Sequence, residues 1–354
     1  MNFDYRPGLL QIKPYSVEEK EWDIKLDANE SPNNLPPLVR ERVMNRLEYL
    51  AFNRYPDIGM RDLRAQIAES YHLNIQNVQL GNGSSEIIMA LCQLFGGPGR
   101  SIVFPVPSFS MYAVYAQASD SQPVPVKLAE DYTVPREQIL KAAKQSDAKL
   151  IILCNPNNPT GTVMPYADIE YIVSKAQCPV LVDEAYVEFY GDSAVDLMAK
   201  YDNIIIARTF SKAYGLAAAR VGYVLANASI IEMLGRVLMP YHINCLSLVT
   251  AEVLYQMRDE FMPGLEQIVA ERKRLAGSLE EIAGIKVYPS ETNFVLMKTE
   301  KATTLGEYLS SKNIGVRSFG NAPGLENCIR LTVGTPLEND QLLKEIQVFM
   351  KGGI

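Results

Sequence analysis

The sequence predicts an α/β fold in two parts, a large unit built on a mostly parallel sheet and a smaller α+β unit. Three observations point there. The runs KLIILC (149–154), CPVLVD (178–183) and NIIIAR (203–208) are almost wholly apolar, as parallel strands covered on both faces must be. Stretches of helical period alternate with such runs from residue 77 onward, the rhythm of βαβ units. After about Glu252 the rhythm changes: a long polar helix near 264–282 leads into the short runs IKVYPS, NFVLMK, IGVRSF and CIRLTVG. A chain of 354 residues has room for two such units. The expected division is an N-terminal arm over 1–30, packing with the small unit or a partner, a large unit over 31–255 and a small unit over 256–354.

In chain order, the Pro- and Asn-rich arm precedes two amphipathic helices near 38–50 and 60–71. NVQL reads as a strand running into GNGSSEIIMALCQLF, a glycine turn followed by a helix. SIVF is a strand, SFSMYAVYAQA a helix, PVPVKL extended and REQILKAAKQ a helix. A final helix follows Pro336.

Composition narrows the function. The net charge is −7, the isoelectric point is near 5.2, and no Lys/Arg run is dense enough to track a phosphate backbone, so nucleic acid is not an expected partner. No stretch reaches transmembrane length, and no membrane partner is expected. The N-terminal MNFDYRPGLLQIKPY lacks the apolar core of a secretory signal. The five cysteines form no C-x-x-C pair, which fits reduced thiols in a cytoplasmic protein. With only His72 and His242, a histidine metal site or a Ser-His-Asp triad is not expected, so proton transfer falls to Lys, Tyr or a carboxylate.

Three of the apolar runs end in polar clusters of different kinds: KLIILC in NPNNPTG, VLVD in DEAY, and IIIAR in TFSK. Ligands of open α/β sheets bind outside the carboxyl ends of the strands, so Asn158, Asp183, Tyr186, Ser211 and Lys212 are candidates for one crevice. Taken singly, an Asp at a strand end is an ordinary cap and a lone Lys an ordinary surface cation. Together the residue types suit pyridoxal phosphate. That cofactor needs a lysine to hold it as a Schiff base and an acid facing its pyridine nitrogen. Its phosphate needs a helix N-terminus, hydroxyls and an arginine. GNGSSE offers the helix start, with Ser84 and Ser85; taken alone it also reads as an ordinary serine-capped helix. It is neither a dinucleotide fingerprint, since the third glycine is missing, nor a P-loop, since no G-K-[ST] follows.

The segments NPNNPTG, VDEAYVEF and RTFSKAYGLAAARVGY, at these separations, resemble the fold-type I pyridoxal-phosphate-dependent aminotransferases over nearly the whole chain. The resemblance implies the roles that follow. Lys212 would carry the cofactor and move a proton between the substrate's Cα and the cofactor's C4′. Asp183 would keep the pyridine nitrogen protonated, Tyr186 and Asn158 would bond its O3′, and Phe109 would stack on the ring. Ser84, Ser85, Ser211 and Arg220 would hold the phosphate. Tyr55, in NRYPD, would reach the cofactor phosphate of a second subunit in a homodimer. LDANESP, NRYPD, DEAYVEF, ETNFVL and CIRLTVGT resemble the histidinol-phosphate branch of the family, whose substrates are an amino phosphate ester and 2-oxoglutarate or glutamate. In that branch Arg330 and Arg317 would bind the substrate anion, with Tyr15, Asn29 and Tyr241 as further substrate contacts. The helix-start loop departs from the common pattern, which has an acidic residue after a small one where this chain has Ser84-Ser85. Aromatic amino-acid aminotransferases and threonine-phosphate decarboxylases share the cofactor motifs, and a non-catalytic cofactor-binding module shares the fold; all three stay open at this point.

Overall fold

The computed structural model describes residues 6–10, 12 and 20–352. The helices are α1 (Pro7–Leu10), α2 (Pro37–Glu48), α3 (Arg61–Ser70), α4 (Ser84–Phe95), α5 (Met111–Ala118), α6 (Arg136–Gln145) and α7 (Tyr166–Lys175), then α8 (Ala228–Leu234), α9 (Cys245–Gln256), α10 (Met262–Glu280), α11 (Ala302–Ser311) and α12 (Pro336–Met350). The strands are β1 (Ile24–Leu26), β2 (Val78–Gly81), β3 (Ser101–Val106), β4 (Gln122–Lys127), β5 (Ala148–Cys154), β6 (Val180–Asp183), β7 (Ile204–Thr209) and β8 (Gly222–Ala226), then β9 (Lys286–Val287), β10 (Phe294–Lys298), β11 (Ile314–Ser318) and β12 (Cys328–Thr332).

The larger sheet has seven strands in the order β2-β8-β7-β6-β5-β3-β4. Strands β4, β3, β5, β6 and β7 run parallel, and β8 alone opposes them, antiparallel to both β7 and β2. The α/β class is thus as the sequence predicts. The apolar runs are the central strands because each of their faces is covered. Val180 and Val182 join a core with Leu63 and Ile67 of α3, while Leu181 joins Ile87 and Leu91 of α4 on the other face. All residues of β6 and β7 are buried. Each large apolar side chain removed from water there contributes about 1.5–3 kcal/mol, which fixes the strand ends as a rigid platform. The sequence reading did not anticipate β8, a five-residue strand, or α9. In α9 apolar and small residues lie on all sides because it is buried against α2 and α3.

The second sheet has the order β1-β11-β12-β10-β9 and is antiparallel except for β1, which runs parallel to β11. α10, α11 and α12 cover it, and α12 starts with a full capping box between Thr335 and Glu338. The arm divides between the two sheets. Its first described residues lie on the larger one, with Arg6 bonded to Asp120 at 2.6 Å and α1 against α5. Its β1 extends the smaller sheet, pairing Ile24 with Ile314. Residues 27–36 then cross between the sheets, past the carboxyl ends of β6 and β7. Among the described residues no helix is long and apolar enough to cross a membrane.

Candidate active site

Three loops leave the larger sheet at the carboxyl ends of β6, β7 and β2. β6 ends on Asp183, whose side chain is 4% exposed. Its Oδ2 accepts a hydrogen bond from Tyr112 Oη at 2.7 Å, and its Oδ1 accepts the Ala185 N–H at 3.2 Å. Among the described residues no cation pairs with it. Burial therefore raises its pKa to about 6 despite the two donors.

Lys212 follows β7 on a turn. Its Nζ donates to the Ala28 carbonyl at 3.0 Å, in the crossing segment of the arm. Burial first, then the charges of Arg330 and Arg220, lower its pKa to about 7. Near neutral pH a substantial share of the amine is thus neutral, the state a nucleophilic or basic lysine requires.

The third group lies at the start of α4. Gly83 caps the helix with φ +78°, a backbone state that favours glycine. A Cβ there would meet Arg220 Nη2 at 2.6 Å. A Cβ on Gly222 would strike the Ser84 amide nitrogen. The missing side chains let β8 and the arginine close on the helix N-terminus. Arg220 holds its guanidinium there from a left-handed backbone, φ 54°, and donates to Ser211 Oγ at 3.2 Å. Ser85 faces the Tyr115 hydroxyl. Helix amides, two serines at the helix start, Ser211 and an arginine converge as a phosphate site requires.

Tyr186, buried, accepts a hydrogen bond on its hydroxyl from Asn29 Nδ2 at 2.9 Å, and burial raises its pKa well above the usual range. Asn29 itself sits at φ 54°, anchored by Thr332 Oγ1 to its amide at 3.0 Å and by Asn293 Nδ2 to its carbonyl at 3.1 Å. Asn158 accepts a bond on Oδ1 from Arg330 Nη1 at 2.7 Å. Arg330 Nη2 bonds the Asp27 carbonyl at 2.6 Å, and its guanidinium lies over the Phe294 ring at 5.3 Å. Arg317 is paired directly opposite Arg330 in the antiparallel register of β11 and β12, which puts both side chains on one face. Arg317 is half-buried and makes no side-chain hydrogen bond or ion pair among the described residues. Phe109 meets Tyr112 edge-on at 5.5 Å.

Hydrogen bonds and close charges thus gather Lys212, Asp183, Tyr186, Asn158, Ser84, Ser85, Ser211, Arg220, Asn29 and Arg330 into one region where the arm crosses the strand ends. Tyr55 and Tyr241 lie apart from it. They stack on each other at 4.4 Å on the surface, Tyr55 79% exposed. Tyr15 lies outside the described residues. Sequence reasoning missed Tyr112. Its signal was there: it stands three residues after Phe109 at a helix start, the spacing that puts two side chains on one face. It also missed Arg208 and Glu184, a buried ion pair on the other face of the same strand ends. There Arg208 Nε reaches Glu184 Oε2 at 2.9 Å and Nη1 reaches the Tyr71 hydroxyl at 2.9 Å. Among the described residues no group of three His, Cys, Asp or Glu is placed to hold a metal ion.

Pyridoxal 5'-phosphate fits this donor set. An uncompensated buried carboxylate, a lysine of lowered pKa and an anion cradle at a helix start are the three features the cofactor's nitrogen, aldehyde and phosphate require.

Comparison with known proteins agrees with the geometry. The chain matches the family model "Aminotransferase class I and II" over residues 22–346. It is 40% identical over 343 residues to a histidinol-phosphate aminotransferase of Caldanaerobacter subterraneus subsp. tengcongensis, covering 97% of each chain. It is 38% identical over 343 residues to one of Pyrococcus furiosus, again covering 97% of each. Among solved structures it superposes on the histidinol-phosphate aminotransferase of Sinorhizobium meliloti in complex with pyridoxal-5'-phosphate with a TM-score of 0.89 at 23% identity, covering 98% of this chain and 97% of that one. With the fold, the strand-end lysine and aspartate and the match along almost the whole length in agreement, this chain belongs to the class I and II aminotransferases.

Proposed function

We propose that the chain transfers an amino group between L-histidinol phosphate and 2-oxoglutarate, with pyridoxal 5'-phosphate held on Lys212. The observation that carries the substrate reading is the direct pairing of Arg317 with Arg330 on one face of the small sheet. The enzyme must accept a phosphate monoester in one half-reaction and the carboxylates of glutamate in the other. Arginine serves both, because its planar fork donates paired hydrogen bonds to either anion. Arg330, already bonded to Asn158 of the cofactor loop, suits the anion nearest the reacting carbon. Arg317, which has no side-chain partner among the described residues, suits the more distant one. The activity shared by the relatives at about 40% identity supports the same choice.

Bound at this site, pyridoxal 5'-phosphate supplies an electron sink that stabilises negative charge on the substrate's α-carbon. The chain's residues do the rest. Asp183 would keep the ring nitrogen protonated by its buried negative charge. Tyr186 and Asn158 would donate to the phenolic oxygen. Ser84, Ser85, Ser211, Arg220 and the α4 amides would hold the phosphate, and Phe109 would pack against the ring. Lys212 Nζ takes the proton from the substrate's Cα and returns it, a task suited to an amine whose pKa lies near 7.

The assembly belongs to the same proposal. Tyr49, Phe52, Tyr55, Ile58 and Met239 are all more than 60% exposed on loops near the larger sheet. A second copy of the chain would cover them and bring Tyr55 to the neighbouring site.

The test is kcat/KM for histidinol phosphate beside histidinol, phenylalanine and threonine phosphate. A preference for histidinol phosphate of about tenfold or more over histidinol is expected, the worth of one charge-assisted contact. Equal efficiency with and without the phosphate removes the anion-pocket argument. A preference for phenylalanine, or release of carbon dioxide from threonine phosphate, moves the chain to another branch.

A further inference from the structure

We infer that Tyr112 is a positioning residue that keeps Asp183 ionised and aimed at the cofactor's ring nitrogen, so that the strength of the electron sink is set by a phenol that never touches the cofactor's reacting atoms. This rests on the reading of Asp183 given above.

The geometry is specific. Tyr112 is the second residue of α5, and its side chain is fully buried in the core under α4 and α5, next to Phe109 and 6.2 Å from the Phe104 ring. Its hydroxyl donates to Asp183 Oδ2 at 2.7 Å. The only other donor to that carboxylate among the described residues is the Ala185 amide, at 3.2 Å to Oδ1. Two donors on two oxygens fix the plane of the carboxylate.

Chemistry makes the contact one-directional. Burial and the neighbouring Asp183 charge push the Tyr112 pKa far above its usual value, so it remains a phenol and a donor. A buried carboxyl with no donor would take up a proton and lose the charge that a pyridinium needs. Of the donors opposing burial at Asp183, Tyr112 is the largest. Glu184, the next residue, adds a repulsive charge, so the hydroxyl works against both burial and a like charge.

Nitrogen-15 NMR of the protein loaded with ring-labelled pyridoxal phosphate reads the ring proton directly. In the native protein and in Tyr112→Phe the ring nitrogen is titrated between about pH 6 and 10, with Asp183→Asn as reference. The expected result is that Tyr112→Phe moves the shared proton from the ring nitrogen towards Asp183, so that near pH 7 the nitrogen-15 shift moves from the protonated towards the unprotonated value, a change of about tenfold to hundredfold in where the proton sits. Affinity of the apo chain for pyridoxal phosphate should fall in Tyr112→Phe and fall no further when the change is made in the Asp183→Asn background. An unchanged ring-nitrogen titration in Tyr112→Phe, with Asp183→Asn shifted, overturns this inference and leaves the Asp183 reading intact. No shift in Asp183→Asn either overturns the Asp183 reading itself. If Tyr112→Phe alone fails to fold while the double variant folds, the buried carboxylate depends on its donor, as inferred; if both fail, Tyr112 serves packing and the inference is wrong.

Discussion

Asp183 and Glu184 are consecutive carboxylates at the end of one buried strand, and their surroundings differ in kind. Glu184 points to the face shared with α3, where Arg208 meets it in an ion pair at 2.8 Å. It also accepts from Ser193 Oγ at 2.8 and 3.0 Å and from the Ala194 amide at 2.7 Å. Its charge is answered within the chain. Asp183 points to the α5 face and, among the described residues, has two neutral donors and no cation. The difference teaches how to separate structure from function at a strand end: the carboxylate that is already matched holds the fold, and the unmatched one is built to meet a ligand.

The largest effect should come from breaking the matched side. Glu184→Gln leaves Arg208 buried with Glu188, 3.6 Å away, as its remaining counter-charge. Loss of one partner from a buried pair costs about 3–5 kcal/mol. Denaturant unfolding of Glu184→Gln should show that loss, while the activity of the folded fraction changes much less. A variant of full stability and collapsed turnover would place Glu184 in the reaction and erase the contrast.

Asp183→Asn should behave in the opposite way. Turnover should drop about a hundredfold to a thousandfold, the scale for removing one fixed electrostatic group from a reacting centre, with the protein still folded. The apo protein carries a linked signature. Asp183 has its folded pKa raised to about 6 from 3.8. The folded state therefore binds the proton more tightly than the unfolded chain between those values. Its contribution is most favourable at low pH and is lost as pH rises towards about 6, an eventual cost of about 3 kcal/mol. Glu188 and Glu252 also have raised values, about 7 and about 6. The diagnostic is thus the difference between native and Asp183→Asn apo protein in the pH dependence of stability. Identical pH profiles would mean that the carboxyl is not held in the buried, unmatched state described.

The same contrast explains what the sequence could and could not reveal. The unmatched groups were legible, because an apolar parallel strand announces its own end and the next polar residues stand where ligands bind. Asp183, Lys212 and the Gly83–Ser84 helix start follow that rule. The matched groups were not, because their partners are remote: Arg208 meets Glu184 across 24 residues. The arm shows the same limit. Three residues of β1 find β11 some 290 positions later, and no local pattern encodes such a pairing. In the second sheet the runs around Arg317 and Arg330 were readable as strands, but the register that sets them opposite each other is a property of the folded sheet.

A smaller effect would sharpen the contrast on the substrate side. Among the described residues Arg330 is hydrogen-bonded through its side chain and Arg317 is not. Arg317→Ala should therefore cost little stability and lower kcat/KM for histidinol phosphate about tenfold, while efficiency with histidinol stays nearly unchanged. Equal losses on both substrates would assign Arg317 to the structure of the sheet.

The most direct test is chemical. Borohydride reduction of the pyridoxal-phosphate-loaded protein, followed by peptide mass mapping, locates the lysine that holds the cofactor. The account predicts the reduced adduct on the peptide containing Lys212, the lysine whose pKa burial lowers to about 7 at the end of β7. An adduct on any other lysine, or none at all, would contradict it.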